Sequence, residues 1–457
     1  MKRNQRDMLT GSLFPSIVSY TIPIILTGLL QLLFNAADLV VVGSKGDIYL
    51  SAVGATNAVT TLIVNLFIGL SAGAGVTLAH AIGSRNDEAV HRTVHTALPT
   101  ALIGGVILTI VGVCFAETFL IWMKTPDEVL PYSTLYMQIY FCGMIFNMIY
   151  NFCGALLRAA GDTKGPLIYL TIAGVCNVAL NLLFVLCFDM TVDGVALATI
   201  ISQGISAVLV VWALMKRTDA VKLHLKKMRI YKEQIKKIVQ LGLPAGIQGS
   251  LFSISNVMIQ SSVNSFGKVF MAGNTAAGSI EGFLYVAMNA FHQTAINFTG
   301  QNMGAGQYKR VRKTMEICLG CVTVLGIVLG VGVYLLRELL LRIYITDSPN
   351  AAEAIAAGAE RMLYLCIPYF LLGIMDVTTG VLRGLGSSVT PMIISILGVC
   401  GIRIGWIYTF FAKDHTPGML FISYPISWIV TFAFEFIAFV IIYRRQVNRR
   451  NGLSSVQ

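Results

Sequence analysis

Asp38 ends a stretch, residues 8–37, that carries no Asp, Glu, Lys or Arg. Asn35 lies one turn before it on the same helical face. A carboxylate in an apolar helix is expensive unless it is hydrated or paired. Such a group can take up and release a proton. With neutral oxygens beside it, it can equally hold a hard cation such as sodium. The plainer alternative is a boundary aspartate near the outer interface. Asn177 and Asn181 are four residues apart, as are Asn147 and Asn151, so each pair shares a helical face. Thr199 adds a hydroxyl. Asparagines in membrane helices also serve as interhelical glue. Gathered in the same half as Asp38, these oxygens favour a proton or cation site.

The second half carries a different polar stripe. Glu281, Tyr285, Met288, Asn289 and His292 recur at helical spacing on one face. Glu281 is a candidate for attracting a cationic substrate or carrying a proton. For His292, a hydrogen-bonded packing role outweighs a proton relay. Asp376 precedes Arg383 by two turns. Arg403 is expected to neutralise Glu281, Asp376 or Glu435, and Glu435 is expected to reach the interface.

The elements that position these residues follow from composition. Of 457 residues, 56% are hydrophobic and only 12% are charged, with mean hydropathy +0.74. That excludes a soluble enzyme, a disordered chain and a fibrous protein, and leaves a polytopic membrane protein. Twelve spans are predicted, near 12–41, 50–80, 93–119, 132–157, 165–188, 193–216, 238–265, 273–301, 314–336, 360–382, 388–410 and 417–443. They must be helices, because lipid cannot satisfy an open backbone and barrel strands run to only about ten residues. No cleavable signal peptide is expected, since the first apolar stretch is long enough to span. All nine cysteines fall within spans, so no disulfide framework is expected. Cys318 and Cys321 form a CxxC without a second ligand pair and read as packing residues.

The net charge of +11 reflects topology and not nucleic acid. With both termini cytoplasmic, 25 of the 33 Lys and Arg residues lie on the inner side, as the positive-inside rule requires. Residues 217–237 form the longest hydrophilic stretch and divide the chain into an N-lobe (1–216) and a C-lobe (238–457). A basic amphipathic helix on the inner membrane surface is expected for that linker.

The halves repeat. Ile22-Pro23 matches Leu243-Pro244, and Gly83 and Val90 match Gly304 and Val311, all at an offset of 221. Leu157-Arg158, Gly161 and Pro166 match Leu382-Arg383, Gly386 and Pro391 at an offset of 225. Six spans per half keep both halves in one orientation, a parallel repeat suited to a rocking carrier. No P-loop, HExxH or acidic metal cluster supplies an engine, so the energy must come from a gradient. Eighteen methionines and 10% aromatics would suit a cavity for flat lipophilic cations.

IPIILTGLLQLLFNAADLVVVG in span 1, AVGATNAV, LLRAAGDTKGP after span 4, DGVALATIISQ in span 6 and GQNMGAGQYKRVRK after span 8 together carry a resemblance. Over residues 12–443 the chain resembles the multidrug and toxic compound extrusion (MATE) transporters. The resemblance implies a twelve-helix, two-lobed fold that exports organic cations in exchange for protons or sodium. It also implies that the N-lobe ion site comprises Asp38, Asn151, Asn177 and Thr199. Where archaeal-like members carry a second span 5 aspartate, this chain has Asn181, which leaves one carboxylate there. Glu281 and Asp376 are not matched positions of other branches.

The expectation is therefore a monomeric antiporter of the bacterial cytoplasmic membrane, not an enzyme, without cofactor or metal beyond sodium at Asp38. Its C-lobe substrate or proton site would draw on Glu281, Tyr285, Asn289, His292, Asp376 and Arg403. The alternatives are a lipid-linked sugar flippase, an exporter of one metabolite, and, further off, a channel or membrane-embedded enzyme. A flippase would want basic residues in the cavity, where Arg403 is almost alone.

Overall fold

The computed structural model describes residues 7–345 and 349–454, apart from the side chains of Ala58 and residues 449–454. Lys2, Arg3 and Arg6, and the side chains of Arg449 and Arg450, which enter the charge count above, lie outside the described residues.

The protein is all-helical, with twelve spans in two six-helix lobes. The first six are Leu13–Gly43, Asp47–Gly83, Asp87–Trp122, Leu130–Cys142 with Met144–Ala159, Lys164–Cys187, and Val192–Met215. The second six are Lys232–Asn264, Lys268–Gly304, Tyr308–Leu335, Ala351–Leu365 with Tyr369–Gly384, Val389–Phe411, and Pro417–Phe421 with Ser423–Ser454. Ten of the twelve are apolar enough to cross a bilayer by composition when each bent pair counts as one. Lys232–Asn264 and Lys268–Gly304 are as long but richer in Gln, Asn and Ser. An additional short helix, Arg337–Tyr344, lies between spans 9 and 10.

The repeat seen in the sequence has backbone counterparts. Spans 4 and 10 each bend by 47°, at Gly143 and at Pro368, again 225 residues apart. The causes differ. Proline removes a helical donor and clashes with the preceding turn. Gly143 leaves room for span 6, since a Cβ there would sit 2.7 Å from Ile200 Cγ1. Gly161 (φ 85°) and Gly386 (φ 89°) reverse the chain after these spans in the left-handed region that glycine tolerates best. Spans 5 and 11 each end in a π-helical segment, Leu183–Cys187 and Ile407–Phe411. Span 11 holds a second such segment, Ile396–Gly401.

The chain packs into two compact units. One comprises residues 1–8 and 22–250, the other 9–21 and 251–457. The helices that carry Pro23 and Pro244 are thus divided: Leu13–Gly43 after Thr21, and Lys232–Asn264 after Ser250. Within the first unit, the opening half of span 7 packs on span 2 through a run of glycines. A Cβ on Gly69 would lie 2.2 Å from Gly246 N, and one on Gly73 would lie 2.4 Å from Ile238 O. The core beside this contact holds Leu108, Phe141, Phe152 and Met144.

The linker departs from its expected form. It is not one amphipathic helix: residues 232–237 already belong to span 7, and between 217 and 231 only Leu225–Lys227 is helical, as one 3-10 turn. The physical reason is competition for its backbone. His95 Nδ1–H donates to His91 O at 2.7 Å, which leaves Nε2 to accept the His224 N–H at 3.0 Å. Tyr231 N–H donates to Thr96 Oγ1 at 3.1 Å, and Arg229 N–H to His95 O at 3.3 Å. The rings of His91, His95 and His224 stack in sequence.

Candidate functional site

The N-lobe cluster is built from spans 1, 5 and 6. Asp38 lies five residues before the end of span 1 and is half-buried. Span 5 presents Asn177 and Asn181 one turn apart, both buried. Asn181 Nδ2 donates to Asp38 Oδ1 at 2.5 Å and to Asn177 Oδ1 at 3.3 Å. Its own Oδ1 has no hydrogen-bond partner among the described residues, so an amide oxygen stays available beside the carboxylate. The Thr199 hydroxyl of span 6 also interacts with Asp38, besides donating to Val195 O at 2.9 Å. Carboxylate, amide and hydroxyl oxygens together suit a proton or a small hard cation.

Asn151 does not join the Asp38 hydrogen bonds. Its Nδ2 donates to Asn147 O and Oδ1, both at 2.9 Å, along its own helix. Residue spacing did not single out Tyr136 and Tyr140, whose stacked rings lie within electrostatic reach of Asp38. Their four-residue spacing in span 4 was the available signal.

In the C-lobe the expected stripe separates into different environments. Glu281 is claimed by Arg361, whose Nη2 lies 2.6 Å from Oε2. Arg361 also donates to Asn274 Oδ1 at 2.7 Å. The Glu281 partner is thus Arg361 and not Arg403, because Arg361 enters from the first part of span 10 directly opposite. Arg403 is 5% exposed and donates through Nε to Ser427 Oγ at 3.0 Å, with its guanidinium 4.0 Å from the centroid of Tyr424. Tyr285 is 47% exposed and receives a long contact from Asn289 Nδ2 at 3.5 Å. Met288 leaves the stripe altogether: it is fully buried, with Sδ against Gly373 of span 10.

His292 and Asp376 meet at a close crossing of spans 8 and 10. Glycines permit it, since a Cβ on Gly380 would lie 2.7 Å from His292 O. His292 Nδ1–H donates to the Asp376 carbonyl at 2.6 Å. Its Nε2 then accepts from Arg383 Nη1 at 3.4 Å, which fixes one neutral tautomer. Glu435 does not reach the interface. It is fully buried, with Oε1 accepting from Thr379 and Ser395, each at 2.8 Å. Burial arises because span 12 lies against spans 10 and 11 at this level.

Many methionines pack in cores and do not line a cavity, Met137, Met144, Met148, Met288 and Met362 among them.

Twelve spans in two repeated six-helix lobes, with a lone aspartate among amides in the first, define a class of membrane carrier. The sequence profile of the MatE family matches residues 23–183 and 244–409, and the chain belongs to that family. It is 26% identical over 399 residues to the probable multidrug resistance protein YpnP of Bacillus subtilis, spanning 87% of this chain and 88% of that one. It is 25% identical to the probable multidrug resistance protein YoeA of the same organism, over 94% and 95% of the two chains. A protein of Shewanella oneidensis named FAD transporter is 22% identical, over 86% of this chain and 87% of that one. Among solved structures, MATE in complex with MaL6 superposes with a TM-score of 0.88 at 21% identity, covering 97% of this chain and 98% of that one. A MATE in the bent conformation gives 0.85 at 21% identity, with 98% of each chain covered. These superpositions establish the fold.

Proposed function

We propose that this chain is a secondary antiporter that exports small lipophilic organic cations in exchange for protons or sodium by alternating access. The observation that carries the reading is the Asp38–Asn181–Asn177 arrangement: one carboxylate, held by an amide, within apolar spans of the MatE fold. Names of relatives such as the multidrug export protein MepA of Staphylococcus aureus support a drug-like substrate. The proposed location is the bacterial cytoplasmic membrane with both termini inside, as the charge asymmetry requires. Two complete lobes make a monomer sufficient.

In this mechanism the outward-facing state takes up the coupling ion at Asp38. Thr199 and the Asn181 Oδ1 supply neutral oxygens around it. Ion loading favours return to the inward-facing state, where substrate enters from the cytoplasm or the inner leaflet. Exchange follows if ion and substrate favour opposite states; the two need not share a site. A second reading, export of a single metabolite, is favoured by the relative named FAD transporter.

The test is gradient-driven uptake of a fluorescent cation such as ethidium into inverted vesicles or proteoliposomes. Proton and sodium gradients are imposed separately, with wild type and Asp38→Asn compared. One gradient should drive uptake in wild type and not in the variant. If neither gradient moves any of a panel of cations, cation export is wrong. If Asp38→Asn couples normally, Asp38 is not the coupling site.

A further inference from the structure

Glu435 lies far in sequence from every residue assigned a role above, yet among the described residues it is the most completely enclosed carboxyl of the C-lobe. It sits within span 12, fully buried, between span 10 and span 11. Both hydroxyls that reach it, Thr379 and Ser395, donate to the same oxygen, Oε1. Oε2 has no hydrogen-bond partner among the described residues. The charged groups that act on it are Asp376 and Arg383. Asp376 and Arg383 flank Thr379 on the same face of span 10, three residues before and four after it.

A charge count then decides what this pocket holds. Arg383 contributes one positive charge, and Asp376 and Glu435 contribute two negative charges when ionised. His292 is neutral here, because Nδ1–H donates to the Asp376 carbonyl and Nε2 accepts from Arg383. Tyr285, whose hydroxyl receives the Asn289 contact, adds no charge. One negative charge is left over, and Glu435, the fully buried member beside the half-buried Asp376 and Arg383, is where an uncompensated charge is most strongly disfavoured. We propose that Glu435 is a second proton-binding site, carrying the proton on Oε2, and that the proton balances the Asp376–Arg383–Glu435 cluster. The step is simple: the carboxylate takes one proton, forms one O–H bond, and the cluster goes from one net negative charge to none.

The backbone next to the site leaves α-helical register. Ser395 is the last α-helical residue before the π segment Ile396–Gly401. A π segment is a register shift in the helical hydrogen bonds and is frequent at functional sites. Returning it to α-helical register would rotate Ser395 relative to Glu435 and remove one of the two donors. Gly398 opposes Thr431 of span 12, with a Cβ placed 2.2 Å from Thr431 Oγ1, so this part of span 11 can pack so closely only with glycine. As a coupling site Glu435 rests on the exchange reading above; as a proton site it does not.

The experiment is infrared difference spectroscopy of the full-length protein in nanodiscs at neutral pH, without substrate, following the C=O stretch of a protonated carboxyl. The band should be present in wild type, lost in Glu435→Gln and retained in Asp38→Asn. It should also be lost in Asp376→Asn, because Arg383 then balances Glu435 without a proton. That last result separates a charge-balanced proton from a merely structural acid. A band unchanged in Glu435→Gln overturns the proposal. So does a band that appears only when sodium is removed, since the site would then hold that cation. Where Glu435→Gln fails to fold, Ser395→Ala serves: loss of one donor should shift the band, and an unshifted band overturns the proposal. Because no transport is measured, failure of the exchange reading leaves this result standing.

Discussion

Asn181 bonds Asp38 and Asn177 through the same nitrogen, at 2.5 and 3.3 Å, so one amide sets the position of the only carboxylate in the N-lobe cluster. A hydrogen bond to a charged group is worth about 1.5–3 kcal/mol. Donation to the carboxylate favours its ionised form. Under proton coupling, Asn181→Ala should therefore tighten proton binding by about 10-fold or more, from that same energy. The half-saturating proton concentration for transport, measured in proteoliposomes, should fall accordingly. A value within twofold of wild type would mean that Asn181 does not tune the coupling carboxylate.

Much of that cluster was legible before any coordinates. Asp38 stood out because it interrupts a charge-free run, and Asn177 and Asn181 because a helix puts residues four apart on one face. Other features were not legible, for a physical reason: spacing reports what lies on one helix and not what a second helix brings to it. Arg361 was missed as the partner of Glu281 because it sits among Glu353 and Glu360 at a span edge, where charges look solvated. Glu435 was misplaced because its hydroxyl partners come from spans 10 and 11. The linker failed as a helix because His95 and Thr96 bond its backbone, a tertiary effect invisible to periodicity.

The glycine contact between spans 2 and 7 predicts a sharp steric result. Gly69→Ala would place a methyl carbon 2.2 Å from Gly246 N, where only backbone can yield. Overpacking of this kind typically costs about 1–3 kcal/mol. Thermal unfolding in detergent should show a lower midpoint for Gly69→Ala. Gly54→Ala, with nothing within 4 Å of its Cβ, is the control on the same helix and should be close to neutral. Equal midpoints for the two variants would contradict the packing described.

His95 predicts how the linker is fastened. Its ring is fully buried and bridges His91 O to the His224 N–H. His95→Ala leaves that N–H without its acceptor and opens space in the packing. The loss should be about 1–3 kcal/mol for an unmet buried donor. Limited proteolysis should then cut near residues 224–231 faster than in wild type. Unchanged cleavage would show that the linker is held by Thr96 and Arg229 contacts alone.

The Glu281–Arg361 pair gives the most decisive prediction, because removing both partners should cost less than removing either one. The side chains are only 13% and 14% exposed, and Nη2 lies 2.6 Å from Oε2. Breaking a buried pair from one side typically costs about 3–5 kcal/mol, since the remaining charge has no compensation. Here Asn274 and the Phe421 ring also contact Arg361, so Glu281→Gln leaves an arginine with weaker partners rather than none. The single variants Glu281→Gln and Arg361→Met should both lower the unfolding midpoint. The double variant Glu281→Gln with Arg361→Met should recover much of the loss, because desolvation of both charges is removed together. A double-mutant cycle on unfolding free energies measures the coupling directly. A coupling energy near zero would return Glu281 to the list of carboxylates available for substrate. A large one makes it part of the scaffold, and transport by the double variant would then show that the C-lobe handles cations without Glu281.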